Sequence, residues 1–114
     1  MTNQLQSESS IQSQCFRWHW NTYPSQRRRL FMVYNNPKNA AHGAILKGMG
    51  MVRGTADLIY LRDHNTDIFL ECKIPGEHQK TDQIEFEKMV KELGAEYYVF
   101  ETLEEFQEIL KPYL

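Results

Sequence analysis

At 114 residues and 41% hydrophobic, the chain can bury one core but is too short for two ordinary domains, so residues 1–114 are expected to form a single unit. The formal net charge of -2 hides a division: residues 1–80 carry ten Lys/Arg against six Asp/Glu, and residues 81–114 carry three against nine. No apolar run approaches the ~20 residues that cross a bilayer, and residues 1–14 are polar without a signal-peptide core, so a cytosolic protein with no membrane contact is expected.

In chain order, Ser7 or Ser9 caps a first helix that carries Ile11, Cys15, Trp18 and His19 to about Asn21 and closes at Tyr23-Pro24. Leu30-Phe31-Met32-Val33-Tyr34 is a short apolar run suited to a buried strand. A long Asn- and Gly-rich connection follows over residues 35–54, with a helical turn or short helix at 40–46; a loop of that length in a small domain is usually functional. Thr55 to Leu61 reads as the second strand and Ile68 to Lys73 as the third, joined by the polar turn-forming residues 62–67. Thr81 then caps a helix whose buried stripe is Phe86, Met89, Val90 and Leu93, with Gly94 as its C-terminal stop. Residues 96–100 form a fourth strand, and Thr102-Leu103-Glu104-Glu105 is a capping box for a last helix that buries Leu103, Phe106 and Leu110. The expected order is α-β-β-β-α-β-α, a mixed sheet flanked by helices, without repeats or low-complexity segments.

Chemistry concentrates on strands two and three. Asp57 is followed fourteen positions later by Glu71-Cys72-Lys73. Side chains alternate along a strand, so Glu71 and Lys73 share one face, opposite Leu70 and Cys72, and Asp57 joins them from the partner strand. Two carboxylates and a main-chain carbonyl, that of Cys72, suit a hard cation such as Mg²⁺ or Mn²⁺, which keeps several waters and takes its remaining ligands from phosphate. Lys73 beside it would orient or help deprotonate an attacking water and offset developing charge, the arrangement of a metal-dependent phosphodiesterase. The same three residues also read as a solvated surface hairpin, because such spacings arise easily by chance. Cys15 and Cys72 belong to no CxxC-type pair, so both are read as buried thiols, not zinc or disulfide partners; the four histidines are scattered and read as structural or solvated.

Context favours the chemical reading. Arg53-Gly54-Thr55-Ala56-Asp57-Leu58-Ile59, then Phe69-Leu70-Glu71-Cys72-Lys73, Gly76, Thr81-Asp82-Gln83 and Leu93-Gly94 resemble the VRR-NUC (virus-type replication-repair nuclease) family of the PD-(D/E)XK superfamily. The resemblance runs from about Gly48 to Gly94, and less specifically back to Glu8 and Ile11-Gln12. Ala56 stands where the superfamily name has Pro, at a position that carries no ligand. The resemblance implies a restriction-endonuclease-like fold and a metal-dependent endonuclease with Asp57, Glu71, Lys73 and Gln83 as catalytic residues. The metal would be held by Asp57, Glu71 and the Cys72 carbonyl, and no organic cofactor is expected. Gln83, by itself a solvated first-turn residue, would reach Lys73, a water or a phosphate. Glu8 reads equally as an ordinary helix start and as the family's first-helix acid, binding a second metal or its water.

Phosphate contact falls to the basic part of the chain: Arg27, Arg28 and Arg29, with Lys47 and Arg53, and Asn36 as a further DNA contact or a turn residue before Pro37. The acidic C-terminal part is expected to face away. Trp18, Trp20, Tyr23 and Tyr34 would stack on bases, although core packing or a subunit interface suits most of them better. The chain has little room for a recognition domain, so structure-selective cleavage of branched DNA by a homodimer, plausibly a four-way-junction resolvase in a bacterial or phage-infected cell, is expected ahead of a general or restriction-type DNase. A non-catalytic nucleic-acid-binding or assembly module on the same fold is the alternative.

Overall fold

Ser7 opens the first helix by accepting a 3.1 Å hydrogen bond from the Ser10 N–H, one of the helix-start donors that would otherwise lack a partner. In the computed structural model, which describes residues 6–114, this helix is α1 (Glu8–Thr22), ended at Tyr23 and followed by a 3-10 turn over Pro24–Gln26. Its buried residues, Ile11, Cys15 and His19, recur every four positions and so lie on one face.

The four strands are β1 (Leu30–Met32), β2 (Leu58–Tyr60), β3 (Ile68–Cys72) and β4 (Glu96–Phe100), laid side by side in that order. The first two pairings are antiparallel, whereas β3 and β4 run parallel, with Glu71 opposite Val99 and Cys72 opposite Phe100. Parallel neighbours need a crossover, and helix α3 (Thr81–Glu92) supplies it. The short β2 is extended at both ends by single bonds, Val33 N–H to the Asp57 carbonyl at 2.9 Å and Leu61 N–H to the Arg29 carbonyl at 2.8 Å. Asp57 therefore sits at the mouth of the sheet and not within the strand.

Alternation divides the sheet into two faces. Ile68, Leu70 and Cys72 turn toward α1 and the last helix α4 (Leu103–Leu110), where with Leu58, Tyr60, Phe100, Phe106 and Leu110 they form the main core. On the other face a smaller cluster of Ala56, Val90 and Tyr97, with Phe69 and Phe86 against it, holds α3. Both cysteines are free and buried, as expected, and burial pushes each thiol up to about 12. His19 is structural: its Nε2 meets Gln26 Oε1 at 3.0 Å, an oxygen that also accepts from Tyr60 OH at 2.7 Å.

The short helix expected at 40–46 is present as α2 (Ala40–Gly48), capped by Asn39, so the expected element order gains a helix between β1 and β2. Two expectations need correction. Helix α3 starts one residue earlier, with Lys80 as its N-cap. The α3 stripe is also narrower, since Met89 is 46% and Leu93 77% exposed. Gly94, with φ of 91°, ends this helix in a Schellman turn: its N–H donates to Lys91 O at 3.0 Å and that of Ala95 to Val90 O at 3.1 Å.

Candidate active site

Alternation along β3 puts Glu71 and Lys73 on the α3 face, and the end of β2 brings Asp57 to the same place. The register is locked by the side chain itself: the Cys72 N–H donates to Asp57 Oδ2 at 2.7 Å. Glu71 is fully buried and Lys73 is 5% exposed. In front of them opens a cleft of about 680 Å³ lined by Glu8, Asn36, Arg53, Asp57, Lys73 and Gln83 among others. Glu8 arrives from the first turn of α1, which is tied to β3 by a 3.6 Å contact from Cys72 Sγ to the Glu8 carbonyl. Its Oε1 lies 3.9 Å from Lys73 Nζ.

The carboxylates crowd one another. Burial, followed by repulsion from Glu71, raises the Asp57 carboxyl above the ordinary range against the opposing pull of the Cys72 N–H and Lys73. Burial and then Glu77 raise Glu8, with Lys73 lowering it and Asp57 raising it further. Glu71 Oε1 accepts a hydrogen bond from the Tyr97 hydroxyl and a 3.5 Å contact from Gln79 Nε2, but its Oε2 is buried without a hydrogen-bond partner among the described residues. Such a buried acceptor calls for an explanation. A cation would satisfy it, and the carboxylate and carbonyl donors are of the hard type that Mg²⁺ or Mn²⁺ takes. Among the described residues, no three His, Cys, Asp or Glu side chains are grouped so as to hold a metal ion by themselves. An open set of two carboxylates, a main-chain carbonyl and retained waters is the usual way Mg²⁺ is held.

Gly54 shapes the rim. With φ of 83°, it lies so close to the start of α3 that a Cβ there would fall 2.5 Å from the Asp82 carbonyl carbon. Arg53 is thereby brought to the cleft, 4.0 Å from Asp82. Asp82 belongs to the acidic part of the chain, so that part does not face away entirely.

The remaining expected residues divide. Asn36 and Tyr34 line the cleft. Gln83 lines it too, but its Oε1 is taken by the Lys80 N–H at 2.8 Å, which makes it a helix cap and leaves only its amide end available for phosphate. Arg27, Arg28 and Arg29 are not brought to the cleft; they precede β1 at the sheet end opposite Asp57. Arg27 lies over Trp20 with its Cζ 4.8 Å from the ring centroid, Arg28 lines a second groove of about 670 Å³ beside α1 and β1, and Arg29 pairs with Asp63 at 3.2 Å. Lys47 is exposed on α2, outside the cleft lining. Trp18 is packed edge-on against Phe106, as core packing required.

Glu77, Lys80, Gln79 and Tyr97 were missed. Glu77 lies just beyond the Pro75-Gly76 turn, where its Oε1 accepts from the Ile74 N–H at 3.1 Å, and with Lys80 it lines the cleft. The turn signal Pro-Gly was visible, but not that it folds the chain back on the site. Tyr97 required knowledge of the parallel pairing.

No family model matches the sequence, and no curated protein matches it. Among solved structures, the chain is similar to a VRR_NUC domain protein at a TM-score of 0.70 and 20% identity, with 96% of this chain and 89% of that chain covered. The fold is therefore the mixed α/β fold of a VRR_NUC structure, the one the sequence resemblance implied.

Proposed function

We propose that this chain is a Mg²⁺- or Mn²⁺-dependent, structure-selective DNA endonuclease that hydrolyses phosphodiester bonds, acting as a homodimer on branched DNA such as a four-way junction. The observation that carries the reading is that Asp57 and Lys73 line one cleft while Glu71 is buried beside them, its Oε2 lacking a hydrogen-bond partner among the described residues. Asp57, Glu71 and the Cys72 carbonyl would hold the cation, and Glu8 a second one or its water. A divalent cation there supplies Lewis-acid stabilisation of phosphoryl charge and makes water more acidic. Lys73, anchored by its main-chain N–H to the Phe100 carbonyl at 3.0 Å, orients the attacking water and offsets charge building on the phosphate. Arg53 and Lys80 at the rim hold the flanking phosphates, and Tyr34 offers a face to a splayed base.

Pairing is supported by apolar surface at the edge strand β1, where Trp20, Phe31 and Met32 are exposed around one groove. A two-fold dimer presents two such clefts, as two related cuts across a junction require.

The test is cleavage with Mg²⁺ or Mn²⁺ across single-stranded, duplex, flap and four-way-junction DNA. Paired incisions in the junction, lost in Glu71→Ala, are expected. Equal or faster cutting of plain duplex would make this a general nuclease, and DNA binding without cleavage of any substrate would favour the assembly-module alternative.

A further inference from the structure

Among the described residues, one oxygen of Glu71 is held and the other is not. Tyr97, 4% exposed on β4, stands on the α3 face because Phe69 and Tyr97 pair across the parallel strands, two residues before Glu71 and Val99 pair. Its hydroxyl donates to Glu71 Oε1. Gln79 Nε2 lies between that oxygen at 3.5 Å and Glu87 Oε1 at 2.9 Å, and Glu87 Oε2 is held by Lys91 Nζ at 2.5 Å. A chain of polar groups thus runs from the outer turns of α3 to Glu71, buried beside the cleft that Asp57 and Lys73 line.

A carboxylate is free to turn about its last torsion, exchanging its two oxygens, unless something holds it. A ligand that turns is a poor ligand, because the groups behind a metal-binding side chain set its orientation. We propose that Tyr97 and Gln79 are positioning residues that clamp Glu71 Oε1 and so leave Oε2 aimed at the cation site. This inference rests on the proposed metal-dependent reading and assigns it two residues outside the Asp-Glu-Lys group. The Tyr97 hydroxyl suits this role because a phenolic O–H, protonated at neutral pH, has a proton to donate to the carboxylate. Gln79 keeps the clamp linked to α3, whose N-terminal turn also carries Gln83.

The experiment measures Mn²⁺ binding by calorimetry, together with junction cleavage, for the full chain, Tyr97→Phe, Gln79→Ala and Glu71→Gln. Tyr97→Phe keeps the ring and its packing on Phe86 and removes only the donor. Loss of such outer groups typically weakens metal binding by roughly ten- to a hundredfold. Tyr97→Phe is expected to bind Mn²⁺ at least about tenfold more weakly, with kcat falling and KM for DNA unchanged; Gln79→Ala is expected to show a smaller loss in the same direction, and it carries the test alone if the Tyr97 variant does not fold. Binding by both variants within about twofold of the parent, while Glu71→Gln loses Mn²⁺, would overturn the clamp and leave the nuclease reading intact. Undiminished Mn²⁺ binding by Glu71→Gln would overturn the metal reading itself, and the clamp with it.

Discussion

The main-chain N–H of Cys72 donates to Oδ2 of Asp57 at 2.7 Å, so the carboxylate at the end of one strand is hydrogen-bonded to the backbone between Glu71 and Lys73 of the next. Asp57 is thereby held by the neighbouring strand. Asp57→Ala or Glu71→Ala is expected to abolish cleavage and cation binding together. Lys73→Ala should retain Mn²⁺ and DNA binding while kcat falls about 10²- to 10⁴-fold, the range for loss of a group acting on the nucleophile. Single-turnover cleavage with calorimetry separates the two classes; full activity in a clean Glu71→Ala preparation would sink the assignment.

A cation that binds only the folded chain stabilises it, by about 2.7 kcal/mol at a hundred times its Kd. For a domain near this size that corresponds to a rise in Tm of order 10 °C. Mg²⁺ and Mn²⁺ are expected to produce such a rise in the parent and none in Glu71→Ala. Ca²⁺ should stabilise but support little cleavage, because it holds its ligands in a looser geometry. A Zn²⁺ preference with tetrahedral ligation would contradict the hard-donor reading.

Gly54 has φ of 83° and no room for a side chain against the Asp82 backbone. Gly54→Ala therefore combines a strained left-handed residue with a main-chain overlap, and a loss of about 2 kcal/mol or more is expected in urea unfolding. Gly76 has φ of 91° but nothing within 4 Å, so Gly76→Ala should lose only about 1 kcal/mol. Equal effects at the two sites would show that the loop does not press on α3.

Much of the site was legible because a strand has a period of two. Knowing only that residues 68–73 form a strand separates Glu71 and Lys73 from Leu70 and Cys72, and the structure keeps that separation. Caps were legible for the same local reason: Ser7 and Thr102 each accept a first-turn N–H at 3.1 Å. What the sequence did not show was non-local. Nothing local paired Arg29 with Asp63 on the β2–β3 turn, 3.2 Å away. Met89 and Leu93 match a buried helical stripe, but Val90 and Phe86 alone reach the small cluster beneath, leaving those two in solvent. Helix α2 buries no residue, so no apolar stripe marked its full length.

Burial, and behind it the charge of Glu71, holds the Asp57 carboxyl above the ordinary aspartate range. Between the ordinary pKa of about 3.9 and the higher folded value, the native chain binds more protons than the unfolded one, so this group's contribution to stability falls as pH rises through that window. Glu8, raised by burial and Glu77, acts in the same direction. Asp57→Asn keeps an acceptor for the Cys72 N–H and removes the titration. In chelator, its unfolding free energy is expected to decline less than the parent's as pH is raised from about 4 toward neutrality. Parallel curves for the two proteins would show that Asp57 is not raised.

Phe31 lies on the three-residue edge strand β1, 40% exposed, beside Trp20 and Met32 and at the groove that Arg28 lines. An apolar edge of this kind, left open, invites pairing with another chain. If a second copy covers it, Phe31→Glu places a charge in the centre of that contact, and a penalty of about 2 kcal/mol, roughly thirtyfold in the dimer constant, is expected. Phe31 does not line the cleft that Asp57 and Lys73 share, so Mn²⁺ binding per chain should be unchanged. Light scattering should find a dimer in the parent at micromolar concentration and a shift toward monomer in Phe31→Glu, accompanied by single nicks in place of paired junction cuts. A parent that is monomeric with and without DNA would rule out the paired-cut mechanism, and a Phe31→Glu protein that remains dimeric would move the interface elsewhere.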